Sequence, residues 1–386
     1  MNSQKLLVYI NGGWRRRAKT GENGSVKTLR LTVDPAHLDS AEAGETLERA
    51  AQILRSGGLV ALPTETVYGL GANALDADAV GSIFAAKRRP AWDPVIVHIS
   101  DAAMLEGLVE EVPEAAHRLM EACWPGPLTL LLRRTAAVPD VVTAGRPLVG
   151  VRMPAHPVAL EVIRRAGVPV AAPSANLFGH ISPTTAAHVL ADLDGRIDAV
   201  VDAGAAEHGV ESTVLDPTQK PMLIYRPGAL TRSQIERIAG AVEIYRHRGP
   251  LRETLPEQLR EDEEEAAALP SPGVGLRHYA PKARLVLVEG EGAQLLAQLA
   301  AEAAGWPGER LGVLLPADFE IALSNAAVFP WGRWSAPAEM ARDLYAGLRA
   351  LDAAACTVIL APLPPPAGIG AAIRDRMRKA AHTAGQ

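Results

Sequence analysis

The most informative stretch of this chain is Pro63-Thr64-Glu65-Thr66-Val67-Tyr68-Gly69-Leu70-Gly71, which follows the apolar run Gly58-Leu59-Val60-Ala61-Leu62. The cluster Lys87-Arg88-Arg89-Pro90 comes about one short helix later. An apolar run that ends on hydroxyl residues and glycines predicts a buried strand that enters a glycine-rich turn. Hydroxyls and free backbone N–H groups faced by cations are what a phosphate group requires. The pattern therefore predicts a site for a phosphorylated ligand.

The bulk composition limits the class of protein. The chain has 386 residues, 48% of them hydrophobic and 22% charged, which is enough for two domains of ordinary soluble composition. A formal net charge of −5 argues against a globally basic surface that would bind duplex nucleic acid. Two cysteines without a CxxC pair indicate a reducing cytoplasm, and we find no apolar stretch of the roughly 20 residues that would span a bilayer.

The order of predicted elements indicates two α/β domains. Strands and helices with short turns over residues 28–245 predict a twisted mixed sheet, and the β-α-β alternation over 284–386 predicts a smaller Rossmann-like domain. Residues 246–283 combine an acidic run with prolines, which is typical of a linker, and residues 1–27 are predicted to form a flexible extension. Helices are predicted at 43–56, 77–87, 113–123, 157–166, 183–191, 292–304, 336–350 and 370–381, and strands at 29–33, 58–62, 95–99, 128–132, 149–152, 168–172, 199–202, 213–215, 222–226, 284–288, 311–315 and 357–360.

One motif favours a dinucleotide fold, but only weakly. Gly69–Ala74 fits the pattern GxGxxA after an apolar strand, with Asp93 about 20 residues further on. No suitable helix starts on these glycines, and Asp93 precedes the next strand instead of following it. A GxxxxGK[ST] loop is also missing from the sequence, which disfavours a Walker-type nucleotidase.

Several polar residues are predicted near strand ends of the first sheet. Arg152 lies in an otherwise apolar strand and requires an anion or a carboxylate as its partner. Thr66, Ser174, Ser212 and Arg226 also lie at strand ends or turns, so that one concave site can collect all five. No Ser-His-Asp or Cys-His order and no carboxylate dyad stands out, which favours electrostatic positioning over covalent catalysis.

Structural roles would account for some of these residues equally well. Lys87 and the two following arginines end a predicted helix, where cations complement the macrodipole. His98 at a strand end is typical of a packed core histidine. Ser182 is a plausible N-cap of a helix that begins at Pro183.

The long motifs of the chain resemble those of the YrdC-type threonylcarbamoyl-AMP synthases, in their two-domain form. The resemblance covers residues 28–386 and implies a YrdC-like twisted mixed sheet with a concave basic site, linked to the Rossmann-like domain. The motifs that carry it are PTETVYGLGANA (63–74), AKRRPAWDPVIVHI (86–99), WPGPLTLLL (124–132), VRMPAHP (151–157), APSAN (172–176), GVESTVLD (209–216), YRPGAL (225–230) and SPGVGLRHYAPKA (271–283).

The resemblance implies an L-threonylcarbamoyladenylate synthase, a nucleotidyltransferase that uses L-threonine, bicarbonate or CO2, and ATP. Its products would be L-threonylcarbamoyl-adenylate and pyrophosphate, and a downstream tRNA threonylcarbamoyl transferase complex would use the adenylate. Mg2+ is expected to arrive with ATP, without a dedicated metal site on the protein. Neither stable nucleic-acid binding nor a membrane partner is expected.

The resemblance also implies roles for individual residues. Lys87 and Arg89 are the expected catalytic residues. Asp93 stands where many relatives carry asparagine, and Leu148 where threonine is common, so a contact at Leu148 must come from its backbone. The expected L-threonine ligands are Thr66, His98, Arg152, Ala172 through its carbonyl, and Ser212; the expected ATP ligands are Lys87, Arg89, Asp93, Leu148, Ser174, Asn176, Ser182, Arg226 and Tyr279.

Two questions stay open at the level of sequence. Tyr279 could close over ATP and exclude water, or it could simply pack against the second domain. A YrdC-like module that binds a nucleotide or RNA without catalysis is the main alternative function. Carbamoyl transfer and a dinucleotide-dependent oxidoreductase are less favoured.

Overall fold

The computed structural model describes residues 7–10, 13–16, 27–245, 271, 279–321, 323 and 326–381. The helices in this part of the chain are α1 (Ala41–Arg55), α2 (Ala77–Lys87), α3 (Glu114–Cys123), α4 (Asp140–Thr143), α5 (Pro157–Ala166), α6 (Ala186–Leu193), α7 (Arg232–Ala239), α8 (Gly292–Ala304), α9 (Pro337–Ala353) and α10 (Gly370–Ala381). The strands are β1 (Leu7–Ile10), β2 (Gly13–Arg16), β3 (Leu29–Thr32), β4 (Val60–Leu62), β5 (Gly69–Asn73), β6 (Ile96–His98), β7 (Leu128–Arg133), β8 (Leu148–Arg152), β9 (Val170–Ala171), β10 (Ala199–Asp202), β11 (Thr213–Asp216), β12 (Met222–Arg226), β13 (Val242–Ile244), β14 (Arg284–Val288), β15 (Leu311–Leu315), β16 (Ala326–Pro330) and β17 (Val358–Pro362).

A mixed sheet of eleven strands forms the first domain, in the order β13-β12-β11-β7-β8-β6-β9-β5-β4-β10-β3. The sheet contains both parallel pairs, such as β6 with β8, and antiparallel pairs, such as β4 with β5. Helices α1 and α5 pack on one face, and α2, α3 and α6 cover the other face. The predicted twisted mixed sheet is confirmed, and strand ends from distant parts of the chain meet at its centre.

The flanking helices form where capping signals precede apolar spacing. Ser40 caps α1 by accepting a hydrogen bond from the backbone N–H of Ala43, and Asp76 caps α2 in the same way through Asp78 and Ala79. Helix α2 ends at Lys87, as predicted, because Arg88 adopts a left-handed backbone conformation with φ of 54°. This sharp ending turns Arg89 back beneath the sheet.

The glycine-rich stretch is a strand and not the predicted turn. Gly69–Asn73 forms β5, which pairs antiparallel with β4 and with β9. A side chain at Gly71 would come within 2.9 Å of Val170, so the glycine allows close packing inside the sheet. A dinucleotide-binding loop, which would lead directly into a helix, is thereby excluded at this position.

The predicted start of helix α6 was also wrong. The helix begins at Ala186, and Thr185 is its N-cap, accepting from the N–H of His188. Ser182 instead donates from its hydroxyl to Glu211, at 2.6 Å. Its side chain is therefore used in a tertiary contact that local sequence does not reveal.

The second domain is a parallel sheet with helices on both faces. Its strand order is β14-β17-β15-β16, and all neighbouring pairs are parallel. Helix α8 packs on one face, while α9 and α10 pack on the other. This arrangement confirms the predicted Rossmann-like class, although β16 was not predicted from the sequence.

The two domains share one apolar cluster. Val67, Ile181 and Val210 of the first domain pack together with α9 and α10 of the second. Gly209 touches the backbone of α9, and a side chain there would lie 2.4 Å from the carbonyl oxygen of Arg342. The second domain is thus docked directly beside the strand ends of the first.

Three sequence predictions concern the chain ends and the segment between the domains. Within the predicted extension 1–27, strands β1 and β2 form a two-stranded antiparallel sheet. Most of the predicted linker 246–283 lies outside the described residues, so the domain boundaries stay predictions. None of the described helices has the length and apolar content needed to cross a membrane.

Candidate active site

A cleft lies where the central strands of the first domain meet the second domain. About 550 Å3 of empty space lies in it, a volume that includes open solvent. Its lining residues come from strand ends and from the loops that follow them: Thr64, Thr66, Val67, Gly69, Arg89, Val95, Ile96, His98, Arg152, Ala172, Pro173, Ser174, Glu211, Ser212, Arg226 and Tyr279.

Arg152 ends strand β8 and is almost fully buried. Its guanidinium donates to the hydroxyl of Thr66 at 2.9 Å and to the carbonyl of Gly126 at 3.1 Å, and it forms a 2.6 Å ion pair with Glu65. Burial alone would raise the pKa of Glu65, but the charge of Arg152 outweighs burial and lowers that pKa. The sequence predicts an anionic or carboxylate partner for Arg152, and the structure shows that this partner is Glu65 of the stretch 63–71.

His98 lies opposite Arg152 in the β6–β8 pairing and is also buried. Burial, aided by the neighbouring charge of Arg152, lowers the pKa of His98 to about 3. The imidazole is therefore neutral at physiological pH. Its Nδ1 is a buried atom without a hydrogen-bond partner among the residues that the structure describes, and other atoms of the residue line the cleft.

Arg89 and Asp93 form a buried ion pair of 2.9 Å beside the cleft. Arg89 also donates to the carbonyl oxygens of Asp93 and Pro94, at 3.1 Å and 2.7 Å. Burial raises the pKa of Asp93, and the charge of Arg89 opposes that rise. The proline-flanked loop thus fixes Arg89, which lines the cleft, whereas Asp93 lies behind it.

Lys87 is a buried cross-link between α2 and the loop after β9. Its ammonium donates to the carbonyl oxygens of Ser174 and Asn176, each at 2.5 Å. Burial, with a smaller effect of the nearby Arg89, holds the pKa of Lys87 well below its usual range. The Asn176 amide in turn donates to the carbonyls of Leu177 and His180. Lys87 therefore shapes the loop that presents Ser174 to the cleft.

Ser212 and Arg226 line another part of the cleft. The guanidinium of Arg226 donates to the carbonyl oxygen of Ser212 at 3.0 Å and to its hydroxyl at 3.1 Å. Thr129 on the adjacent strand β7 shares a 2.8 Å hydrogen bond with the same hydroxyl. These contacts hold a cation and a hydroxyl in fixed positions at the ends of β11 and β12.

Glu211 is a fully buried carboxylate that joins both domains. It accepts hydrogen bonds from Ser182, from the Tyr345 hydroxyl at 2.9 Å, and from Arg376 at 2.7 Å. Burial would raise the pKa of Glu211, but Arg376 and then Arg226 outweigh burial and lower it. The second domain thereby supplies the main counter-charge for a residue that lines the cleft.

Tyr279 packs against the second domain, which is one of its two predicted roles. Its ring is buried, lines the cleft, and stacks on Tyr345 of α9 with 5.7 Å between ring centroids. Arg376 lies over the same ring, 5.2 Å from its centroid. Packing against the second domain is therefore present, and closure over ATP stays a prediction. The neighbouring His278 lies outside the described residues.

The structure brings most predicted site residues together. Lys87, Asp93, Asn176 and Ser182 lie behind the lining and contact residues of it, whereas Leu148 begins β8 and is separated from the cleft by the length of that strand. The lining residues among the predictions are Thr66, Arg89, His98, Arg152, Ala172, Ser174, Ser212, Arg226 and Tyr279.

Sequence reasoning missed Thr64, Glu65 and Glu211 as members of the site. Thr64 accepts from the backbone N–H groups of Thr66 and Val67 and so fixes the turn that carries Thr66. The available signal was a carboxylate in each of two polar motifs beside apolar strands. Glu65 lies just after β4, and Glu211 lies just before β11. Such a carboxylate has to be paired when it is buried.

No cluster of three metal-ligating side chains occurs in the described ranges of the chain. The three carboxylates nearest the cleft, Glu65, Asp93 and Glu211, each face an arginine. What the cleft offers is therefore a set of fixed cations, hydroxyls and one neutral imidazole. This set can bind and orient anionic ligands without a covalent intermediate.

Two family models match consecutive parts of the chain. Residues 52–228 match the family described as "Telomere recombination", and residues 230–382 match the one described as "Threonylcarbamoyl-AMP synthase, C-terminal domain". A solved structure of Pyrococcus abyssi Sua5 complexed with L-threonine is 39% identical, with a TM-score of 0.81, over 92% of this chain and 98% of that one. The fold and the cleft thus define a two-domain protein of the Sua5 type.

Curated relatives agree over nearly the whole length. The threonylcarbamoyl-AMP synthase of Bacillus subtilis is 42% identical over 92% of this chain and 98% of its own. That of Pyrococcus abyssi is 42% identical over 86% of this chain and 92% of its own. The chain belongs to the threonylcarbamoyl-AMP synthase family.

Proposed function

We propose that the chain is an L-threonylcarbamoyladenylate synthase, which forms L-threonylcarbamoyl-adenylate and pyrophosphate from L-threonine, bicarbonate or CO2, and ATP. The observation that carries the proposal is the two-sided cleft. Thr66, His98 and Arg152 meet on one side of it, while Arg89 and Arg226 supply cations elsewhere in the lining. An amino acid and a polyphosphate need these two different sets of groups.

L-threonine is proposed to bind beside Arg152. Its carboxylate would contact the guanidinium, whose existing bonds to Glu65 and Thr66 fix the orientation. Neutral His98, which lines the cleft, is the proposed contact for the amine or hydroxyl of the ligand. The Ser212 hydroxyl and the Ala172 carbonyl are further proposed contacts. A relative, the Sua5 protein of Pyrococcus abyssi, has been solved with L-threonine bound.

ATP is proposed to bind toward Arg89, Ser174 and Arg226, with Tyr279 against it. Lys87 is the proposed partner of the phosphates from α2, and its present bonds to two carbonyls hold the Ser174 loop in place. Asp93, Asn176 and Ser182 support these residues from behind the lining. A role for the backbone of Leu148 stays a prediction.

The proposed reaction proceeds in two steps. The threonine amine attacks CO2, forms an N–C bond and loses a proton, which leaves a carbamate. A carbamate oxygen then attacks the α-phosphorus of ATP, the bond to the β-phosphate oxygen breaks, and pyrophosphate leaves. Arg89 and Arg226 would offset the negative charge that develops on the phosphates. Mg2+ bound to ATP would neutralise further phosphate charge, and we propose that it enters with the nucleotide.

The cellular setting follows from the same proposal. A downstream tRNA threonylcarbamoyl transferase complex would consume the labile adenylate. We place the protein in the cytoplasm, because Cys123 and Cys356 are both unpaired thiols, as a reducing compartment favours. Stable binding of tRNA by this chain itself is not expected, given the net charge of −5.

Pyrophosphate release tests the proposed function. The full chain should release pyrophosphate only when ATP, L-threonine and bicarbonate are all present. Omission of each substrate in turn is the control. Binding of ATP without threonine-dependent release would favour a non-catalytic nucleotide-binding module instead.

A further inference from the structure

The second domain places a fully buried arginine against the catalytic domain. Arg376 on α10 has no exposed surface, and its Nε donates to the Glu211 carboxylate at 2.7 Å. It also pairs with Asp375, which the Lys379 ammonium contacts as well, so the charge of Asp375 is shared between two cations on α10. Glu211 therefore depends on Arg376 for its full counter-charge.

Hydroxyl groups hold Glu211 in this position. Ser182 donates to one carboxylate oxygen and Tyr345 donates to the other. Neutral donors can satisfy hydrogen bonds but cannot cancel a buried negative charge. Arg376 is thus the group that allows Glu211 to be charged at the edge of the cleft.

Arg226 is a second cation near Glu211 in the described part of the chain. Glu211, Ser212 and Arg226 line the same part of the cleft, and the Arg226 guanidinium donates to the carbonyl oxygen of Ser212, the residue that follows Glu211 in the chain. The charge of Arg226 also helps to lower the pKa of Glu211. Without Arg376, Glu211 would have Arg226 as its remaining cationic partner.

We propose that Arg376 is a positioning residue for the nucleotide: by pairing with Glu211, it leaves the Arg226 guanidinium available to phosphate. The inference rests on the proposed function, because it assigns Arg226 to ATP. It gives the second domain a defined part in the reaction. That domain completes the electrostatic balance of the cleft through one side chain, in addition to any closure by Tyr279.

Titration calorimetry with Mg2+-ATP on the full-length protein tests the proposal. Arg376→Met removes the charge and keeps the length of the side chain, and it should weaken ATP binding about tenfold or more. Arg376→Met combined with Glu211→Gln removes both charges and should recover most of the lost affinity. Arg378→Met is the matched control on the same helix, where the side chain is exposed and pairs with Glu289, and it should leave ATP affinity unchanged.

The outcomes separate the inference from the proposed function. Unchanged ATP affinity in Arg376→Met overturns the inference, and so does a double variant that folds but binds ATP no better than the single variant. If Arg376→Met does not fold, the double variant is compared with Glu211→Gln alone. Equal ATP affinity of these two variants supports the charge-balance role, and a further tenfold loss in the double variant contradicts it. A wild-type protein that binds ATP but forms no threonylcarbamoyl-adenylate would overturn the proposed function alone.

Discussion

Substitution of Gly209 by alanine is a direct probe of the contact between the domains. Gly209 has a left-handed backbone, with φ of 67°, and a Cβ there would lie 2.4 Å from the Arg342 carbonyl oxygen and 2.5 Å from that of Ala341. Ordinary contact starts near 3.4 Å, so helix α9 must move by roughly 1 Å. Both backbone strain and overpacking therefore oppose the alanine side chain.

The expected cost follows from these two effects. The left-handed conformation costs about 1–2 kcal/mol for alanine, and overpacking adds about 1–3 kcal/mol. Gly167 is the matched control, because its φ of 64° is similar but a Cβ there meets no atom within 4 Å. We expect Gly209→Ala to lower the free energy of unfolding by roughly 2–5 kcal/mol and Gly167→Ala by about 1–2 kcal/mol.

Urea unfolding followed by tryptophan fluorescence measures both variants. A shift of α9 would also draw the Tyr345 hydroxyl away from Glu211, beyond its present 2.9 Å, so ATP affinity should fall in Gly209→Ala and stay unchanged in Gly167→Ala. Equal losses of stability in the two variants, with equal ATP affinity, would refute the reasoning about this interface.

Three further predictions concern buried charges of the cleft. Lys87→Ala should abolish threonine-dependent pyrophosphate release, because the Ser174 loop loses its cross-link; near-normal turnover would contradict this role. The pKa of His98 is lowered from 6.5 to about 3, so between these pH values the unfolded chain binds a proton that the folded chain does not. The free energy of unfolding should therefore fall as the pH drops from 6.5 toward 3, by up to about 1.4 kcal/mol per pH unit. His98→Gln should reduce that slope in pH-dependent urea titrations, whereas the same change at the exposed His117 should not. Glu65→Gln leaves Arg152 without its carboxylate partner and should lower the free energy of unfolding by on the order of 3–5 kcal/mol. The control Glu114→Gln, in the exposed pair with Arg118, should lower it by less than about 1 kcal/mol. Similar losses of stability in the two variants would argue against a buried ion pair.

Regular elements were predictable where local signals agree with the tertiary structure. Helices α2, α5 and α8 have the bounds that the sequence predicted, and strand β14 does as well. Apolar spacing predicts these helices, the Asp76 cap marks the start of α2, and Pro157 and Gly167 mark the two ends of α5. The two-domain α/β class followed from the order of such elements.

Elements with misleading local signals were not predictable. Gly69 and Gly71 read as a turn, but close packing against Val170 and the Val60 carbonyl requires glycine within a strand. Strand β16 ends on Pro330 and lies at the edge of its sheet, where proline is tolerated and apolar patterning is weak. In both cases a neighbour that is distant in sequence sets the structure.

The site residues divide in the same way. Cations at strand ends, such as Arg152 and Arg226, were identifiable because an apolar context makes a charge conspicuous. The ion pairs around the cleft were not, since Glu65 precedes its partner Arg152 by more than 80 residues and Glu211 pairs with Arg376 of the other domain. Sequence indicates that a buried charge needs a partner, and only the fold identifies that partner.

Mass spectrometry of the product formed with 13C-bicarbonate tests the central claim most directly. Wild-type protein incubated with ATP, L-threonine and labelled bicarbonate should yield threonylcarbamoyl-AMP that carries one labelled carbon, together with pyrophosphate. An unlabelled threonyl-adenylate would show that the α-phosphorus is attacked by the threonine carboxylate and not by a carbamate. That product, or ATP recovered intact, would contradict the account.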